Sequence, residues 1–317
     1  MKKTVLLLLC LAIVTGIFIS CAQSKSDGKT YIPLVSKGFQ HQFWQAVKSG
    51  AEQAARDFNV EINFIGPESE SQVDKQMEML QTEMGKKPKA LGFAALDSKA
   101  AIPLLQQLQK DNIPIIAFDS GVDSDIPLTT VSTNNKAAAA MAADKMAEAI
   151  GGNGKVAVIV HDQTSRTGIE RRDGFLERMK SNYPNIEVVD VQYGGGDHLR
   201  SADIAKAVIN GNPELKGYYG ANEGSAIGVV NAVNELGISG RIVVIGFDSG
   251  KLQLDAIRSG LMYGAVQQNP VGMGYRTVEA AVKALKGESL PNHIDSGFVW
   301  ADGKNLDTAE VQAVVYE

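Results

Sequence analysis

Two nine-residue stretches constrain this chain more than any other feature, because one nearly repeats the other. Residues 113–121 read Ile-Pro-Ile-Ile-Ala-Phe-Asp-Ser-Gly, and residues 242–250 read Ile-Val-Val-Ile-Gly-Phe-Asp-Ser-Gly. Each opens on an apolar run too short for a helix and ends in turn residues, the pattern of a fully buried parallel strand. Each closes on Phe-Asp-Ser-Gly, so Asp119 and Asp248 emerge where a strand gives way to a loop. Open α/β sheets bind ligands beyond the carboxyl ends of their strands. Two copies therefore predict two sheets, each presenting an aspartate at the edge of a shared cleft. Alone, the tetrapeptide has plainer readings: a chance echo, or an aspartate capping the helix that follows.

The spacing of the remaining elements weighs against chance. Strands read at 31–35, 60–65, 90–94, 114–118 and 128–132, then at 155–160, 186–191, 217–221, 242–247 and 263–267. Helices alternate with them at 43–57, 71–84, 98–110, 134–149, 169–181, 198–210, 223–236 and 270–286. In the first helix Trp44, Val47, Ala51, Ala54, Ala55 and Phe58 form an apolar stripe, with Lys48, Glu52 and Arg56 outside it. Strand starts are separated by about 29, 29 and 24 residues in the first half and about 31, 30 and 25 in the second. That is the length of a βαβ unit, repeated with one rhythm. The fold class is α/β, with two doubly wound parallel-sheet lobes meeting near Ser132-Thr133-Asn134-Asn135.

The chain opens with Lys2 and Lys3, an apolar run from Val5 to Ile19, then Ser20-Cys21. A basic start and so short an apolar core read as a signal peptide over residues 1–20, not a membrane span. Cys21 resembles the cysteine of a bacterial lipoprotein signal, which is lipidated and becomes the new N-terminus. Phe18-Ile19-Ser20 departs from the usual residues before such a cysteine, so ordinary secretion stays open. Residues 21–29 read as a polar tether. Cys10 leaves with the signal, so no disulfide is available and the roughly 290 remaining residues must rely on their core. A net charge of −5 and the lack of a basic block argue against nucleic acid or anionic lipid as partners.

At this point the chain resembles the periplasmic sugar-binding proteins of the ribose/galactose-binding type, relatives of the ligand domain of lactose-repressor-like regulators. The resemblance runs from Tyr31 to about Val315. In the first half it rests on Ser36-Lys37-Gly38-Phe39-Gln40-His41-Gln42-Phe43-Trp44 and on Asp119. In the second half it rests on Thr164 to Phe175, Ala221-Asn222-Glu223, Gly246-Phe247-Asp248 and Gln267-Gln268-Asn269-Pro270. The resemblance implies the type I periplasmic-binding fold, its lobes joined by three crossovers near Thr133, Gln268 and Ser296. The lobes would then comprise residues 30–133 with 269–296, and 134–268 with 297–317.

It also implies a site. Phe43 and Trp44 match the aromatic pair that covers the apolar face of a sugar ring, although Trp44 also belongs to the helix stripe. Asp119, Asn222, Asp248 and Gln268 match positions that bind sugar hydroxyls, for which carboxylates and amides are suitable partners. The family's arginine position holds Ile169 here, flanked by Arg166 and Arg171, of which Arg166 is nearer the loop mouth. Phe247 matches, whereas the Gly194-Gly195-Gly196-Asp197 loop lacks the expected aromatic and Ala94 stands where an asparagine is usual. Lys37 and His41 replace a small polar residue and an amide, and His41 also reads as a loop residue facing solvent. The site is sugar-like but rearranged.

Enzyme readings fit less well. Gly151-Gly152-Asn153-Gly154-Lys155 follows a helix and opens a strand, the reverse of a phosphate loop, and reads as a helix stop. No Gly-x-Gly-x-x-Gly follows the first strand and no Gly-x-Ser-x-Gly elbow occurs, so no cofactor is expected. His41, His161, His198 and His293 lack metal-ligand spacing. Asp119 and Asp248 would suit a glycoside hydrolase only if their lobes did not move apart. The expected function is a monomeric, lipid-anchored capture protein that hands a monosaccharide or polyol to an ABC permease. The alternatives are a sensor for such a ligand or for a furanosyl signal such as autoinducer-2, and an enzyme on this scaffold.

Overall fold

The computed structural model describes residues 28–316, so the signal peptide, Cys21 and most of the tether lie outside the described residues. The first half runs β1 (Thr30–Val35), α1 (Gln42–Asp57), β2 (Val60–Ile65), α2 (Val73–Gly85), β3 (Leu91–Phe93), α3 (Ile102–Lys110), β4 (Ile115–Phe118) and β5 (Thr129–Ser132). The second runs α4 (Asn135–Ala149), β6 (Gly154–Val160), α5 (Arg166–Asn182), β7 (Ile186–Tyr193), α6 (His198–Gly211), β8 (Leu215–Gly220), α7 (Glu223–Glu235), β9 (Val243–Phe247), α8 (Lys251–Arg258) and β10 (Gly264–Gln268). The chain finishes with α9 (Pro270–Leu285), β11 (His293–Asp295), β12 (Phe298–Asp302) and α10 (Ala309–Gln312).

These strands form two six-stranded sheets, ordered β11-β5-β4-β3-β1-β2 and β12-β10-β9-β8-β6-β7. All pairings are parallel except that of β10 with β12. The chain passes between lobes between β5 and α4, between β10 and α9, and between β11 and β12. Helix α4 packs on α5, β9 and β10, whereas α9 packs on α1, β3, β4 and β5. The packing of α9 on α1 is backbone against backbone. A Cβ on Gly50 would fall 1.9 Å from the Val271 carbonyl oxygen, and one on Gly274 1.9 Å from that of Val47.

Strict alternation fails in two places, between β4 and β5 and between β11 and β12. Residues 119–128 form a loop with no helix, so β4 leads directly to β5. The predicted helix from 98 begins only at Ile102, because the Asp97 carboxylate accepts from the Lys99 and Ala100 N–H groups and holds a turn there. Helix α5 begins three residues earlier than predicted, at Arg166, where the Ser165 hydroxyl accepts from Gly168 N–H at 3.1 Å. The short elements α8, β11, β12 and α10 carry too few residues for a periodic signal. Gly151 and Gly152 end α4 in the left-handed region, at φ 75° and 74°, as a helix stop requires.

The last residues do not keep to the second lobe. Helix α10 packs on β12, yet the Tyr316 ring joins the core of the first lobe, 6.2 Å from Phe43. Its hydroxyl oxygen accepts from Ser249 N–H of the second lobe at 3.2 Å.

Candidate functional site

The two Phe-Asp-Ser-Gly endings share a backbone as well as a sequence. Asp119 and Asp248 both lie in the left-handed region, at φ 55° and 81°. Their N–H groups donate to Val131 and Val266 on the neighbouring strands, at 2.9 and 2.8 Å. Neither caps a following helix: none follows Asp119 closely, and α8 has Gly250 at its N-cap. Both carboxylates instead face the space between the lobes. There Lys37, His41, Phe43, Trp44, Glu70, Asp119, His161, Thr167, Arg171, Asn222, Asp248 and Gln268 line one cavity. All but Arg171 sit in a loop or helix start beyond the carboxyl end of a strand, or close a strand, as the fold requires.

The cavity is shut by bonds from lobe to lobe. Lys37 Nζ donates to Thr167 Oγ1 at 3.2 Å, Gln40 Nε2 donates to the Gly196 carbonyl at 3.1 Å, and Ser98 N–H donates to the Thr164 carbonyl at 3.1 Å. Phe43 and Trp44 meet edge to face at 5.0 Å. The Trp44 indole donates to Glu70 Oε1 at 2.8 Å, so this residue both completes the helix stripe and lines the cavity. Lys37 lies 3.8 Å from Glu70 Oε2. Burial alone would raise the Glu70 carboxyl, but Lys37, His41 and His161 outweigh it and hold it at about 2. Burial likewise works against a charged Lys37, yet Glu70 and Asp119 keep its pKa raised. Burial pushes the pKa values of His41 and His161 down. His41 is buried, not solvent-facing.

Asp248 is fully engaged. Gln268 Nε2 donates to Oδ1 at 2.6 Å, Glu223 N–H donates to Oδ2 at 3.0 Å, and Arg171 Nη1 lies 3.8 Å away. Gln268 in turn accepts from Thr133 Oγ1 at 2.7 Å, and that hydroxyl lies 3.3 Å from Ser296 Oγ. The three crossovers are thus bonded to one another and, through Gln268, to the cavity. Asn222 uses Oδ1 to cap α7, accepting from Ser225 N–H at 2.9 Å, which leaves its amide nitrogen for the cavity. Asp119 differs: among the described residues no side chain or backbone group donates to its carboxylate. Burial raises it to about 6, despite Lys37 and Arg171 nearby.

The structure places Arg171, and not Arg166, at the cavity. Arg171 lies about one and a half turns into α5 on its buried face and leans back toward the helix start, as helical side chains do. Its guanidinium sits 3.8 Å over the Phe247 ring and donates to Asn135 Oδ1 at 2.8 Å and to the Ala221 carbonyl at 3.0 Å. Arg166 is the first residue of α5 and half-exposed, paired with Asp123 at 3.2 Å and Glu170 at 3.0 Å on the outer rim. Phe247 is a core residue beneath Arg171 and does not line the cavity.

Glu70 escaped sequence reasoning, His161 was named only among the scattered histidines, and Thr167 only within the Thr164 to Phe175 motif. Glu70 and His161 follow β2 and β6 at their carboxyl ends, so the rule that singled out Asp119 also applied to them. Glu223 was named only as part of a motif. It is buried between Asp248, Tyr316 and the start of α1, and burial with Asp248 close by raises its carboxyl to about 8. Among the described residues no cluster of three or more His, Cys, Asp or Glu side chains could hold a metal, and no helix is long and apolar enough to cross a membrane.

Comparison with known proteins agrees with this architecture. Residues 32–289 match the family described as periplasmic binding protein domain. The D-allose-binding periplasmic protein of Escherichia coli is 28% identical over 267 residues, 81% of this chain and 86% of that one. A carbohydrate-transporter solute-binding protein of Agrobacterium radiobacter, solved with D-arabinose, is 30% identical with a TM-score of 0.88, covering 92% of this chain and 100% of that one. An ABC-transporter solute-binding protein of Agrobacterium vitis, solved with α-D-tagatopyranose, is 31% identical, again at 0.88, over 91% and 100%. Two parallel-sheet lobes with a three-crossover hinge are the type I periplasmic-binding fold, and the chain belongs to the periplasmic binding protein family.

Proposed function

We propose that this protein captures a monosaccharide or related polyol between its lobes and delivers it, by closing on it, to an ABC importer. The observation that carries this reading is Asp119, a buried residue whose carboxylate lines the interlobe cavity and accepts no hydrogen bond from the described residues. Leaving such a group without a partner costs about 1–3 kcal/mol or more, and a sugar hydroxyl supplies the missing donor. Around it stand an aromatic face at Phe43, the Asn222 amide, and the charged groups of Lys37, Arg171 and Asp248. These suit a small, neutral, many-hydroxyl ligand. The sugars named with the relatives, D-allose, D-arabinose and D-tagatose, are of that kind.

Binding accounts for the site better than turnover does. His161 Nε2 lies 3.4 Å from Ser165 Oγ, a spacing like that of a base and its nucleophile. Ser165 Oγ is already committed, donating to Asp162 Oδ2 at 2.8 Å and capping α5. The same reading includes lipidation of Cys21, an anchored location on the outer face of the cytoplasmic membrane or in the periplasm, and a monomeric state. A thermal-shift screen against pentoses, hexoses, their alcohols and autoinducer-2 tests it. A pentose or hexose well above its dissociation constant raises the melting temperature by several degrees; no response to any sugar or polyol refutes the proposal.

A further inference from the structure

Most helices that begin near the cleft carry their own caps: Asn134, Ser165, Asp197, Asn222 and Asn269 each accept from an N–H of the helix they precede. Two do not. Helix α1 of the first lobe has His41 at its N-cap with no side-chain cap bond, and α8 of the second lobe has Gly250, which has no side chain to offer. The missing acceptors come from the opposite lobe. Gln42 and Phe43 N–H, the first two of α1, donate to Glu223 Oε1 and Oε2 at 3.3 and 3.4 Å. Lys251 N–H, the first of α8, donates to Gln42 Oε1 at 2.8 Å.

Glu223 is held for this task. Its own N–H is fixed by Asp248, and the Tyr316 hydroxyl donates to its Oε2 at 3.3 Å. The neighbouring glycines allow the approach. A Cβ on Gly224 would fall 2.9 Å from His41 Cε1, and one on Gly250 3.0 Å from Glu223 Oε1. These bonds cross the cleft, so they exist only while the lobes are together, and helix N-termini left open must be satisfied by water.

We infer that Gln42 and Glu223 form a reciprocal latch, each supplying from one lobe the cap that a helix of the other lobe lacks, and that this latch sets how readily the clamshell shuts. The latch rests on the proposed closure but on no particular sugar. It stabilises the closed form selectively, because each lobe folds without it. A ligand's apparent affinity then includes the latch as a population shift.

The test traps closure without sugar. In a Cys10→Ser, Cys21→Ser background, Ser98→Cys and Thr164→Cys place a cysteine pair across the rim, where Ser98 N–H now meets the Thr164 carbonyl. The equilibrium constant for their disulfide in a glutathione buffer reports the closed fraction. Gln42→Ala and Glu223→Ala are each expected to lower it about fivefold, the weight of one cap, and the double variant to lower it more than either alone. Glu223→Gln, which keeps an acceptor oxygen, retains most of it. The melting temperature of the reduced, sugar-free protein stays within about a degree. Amide exchange at Lys251 quickens in Gln42→Ala, an independent reading on the same proteins. Unchanged disulfide constants and exchange rates overturn the latch, as does a fall in melting temperature with no change in closure. A protein that closes this way yet binds no sugar refutes the proposed function and leaves the latch standing.

Discussion

Asp119 and Asp248 occupy equivalent places in the two lobes and have opposite surroundings. Both end a fourth strand, both take left-handed φ values, and both donate backbone N–H to the next strand. Asp248 is satisfied by Gln268, Glu223 N–H and Arg171, so its carboxylate is joined to the hinge and to α7. Among the described residues Asp119 has no such donors, and its carboxyl is raised to about 6 by burial. The repeat conserved a backbone device for aiming a carboxylate at the cleft. One copy is tied into the protein's own network, whereas the other accepts no hydrogen bond from the described residues.

The largest separation of the two follows from truncation. Asp248→Ala leaves Arg171 as a buried charge short of its partner and Gln268 without its acceptor. Breaking a buried pair of this kind costs about 3–5 kcal/mol, so a large drop in melting temperature is expected together with lost sugar binding. Asp119→Ala removes an acceptor that none of the described residues uses. Binding of the best sugar from the screen should weaken by about 1.5–3 kcal/mol, or roughly ten- to 150-fold, while the melting temperature holds or rises. Equal loss of stability in both variants, measured by calorimetry, would erase the comparison.

The pH dependence sharpens it. The Asp119 carboxyl is raised from 3.8 to about 6 in the empty cavity, so ionising it costs stability, and the sugar-free protein loses stability as pH rises from about 4 to 6. Hydroxyl donors from a sugar favour the ionised form and lower that pKa on binding. Affinity is therefore complete above about pH 6 and falls below it, by up to about tenfold per unit. Asp119→Asn should flatten that fall in a titration series from pH 7 to pH 4.5; an unaltered slope assigns it to another group.

The smallest effect is expected at Arg166, in contrast to Arg171. Arg166→Ala removes rim ion pairs worth about 0–1 kcal/mol and should leave sugar affinity within about threefold. Arg171→Ala takes a buried guanidinium from above Phe247 and from beside Asp248, and should abolish binding. Comparable losses in both would return Arg166 to the site.

What the sequence carried, it carried as repetition. The βαβ rhythm and the paired Phe-Asp-Ser-Gly endings located both sheets and both aspartates, because strand ends are local features. Thr133, Gln268 and Ser296 were expected near the crossovers, and they hydrogen-bond to one another there. Choosing between Arg166 and Arg171 needed the true start of α5, which depends on how Ser165 caps it. Glu70 depends on Lys37 and Trp44 converging from β1 and α1, and the Glu223–Gln42 exchange depends on two lobes meeting. No pattern along the chain encodes such long-range pairings, and the Tyr316 return to the first lobe is of the same kind.

Small-angle scattering of the whole protein, with and without the sugar that most raises its melting temperature, bears most directly on the central claim. Phe43 and Asp119 belong to one lobe, Asn222 and Asp248 to the other, so a sugar touching all four favours the shut form. The account predicts that the radius of gyration falls on adding that sugar at saturation. Tight binding with an unchanged radius would contradict it.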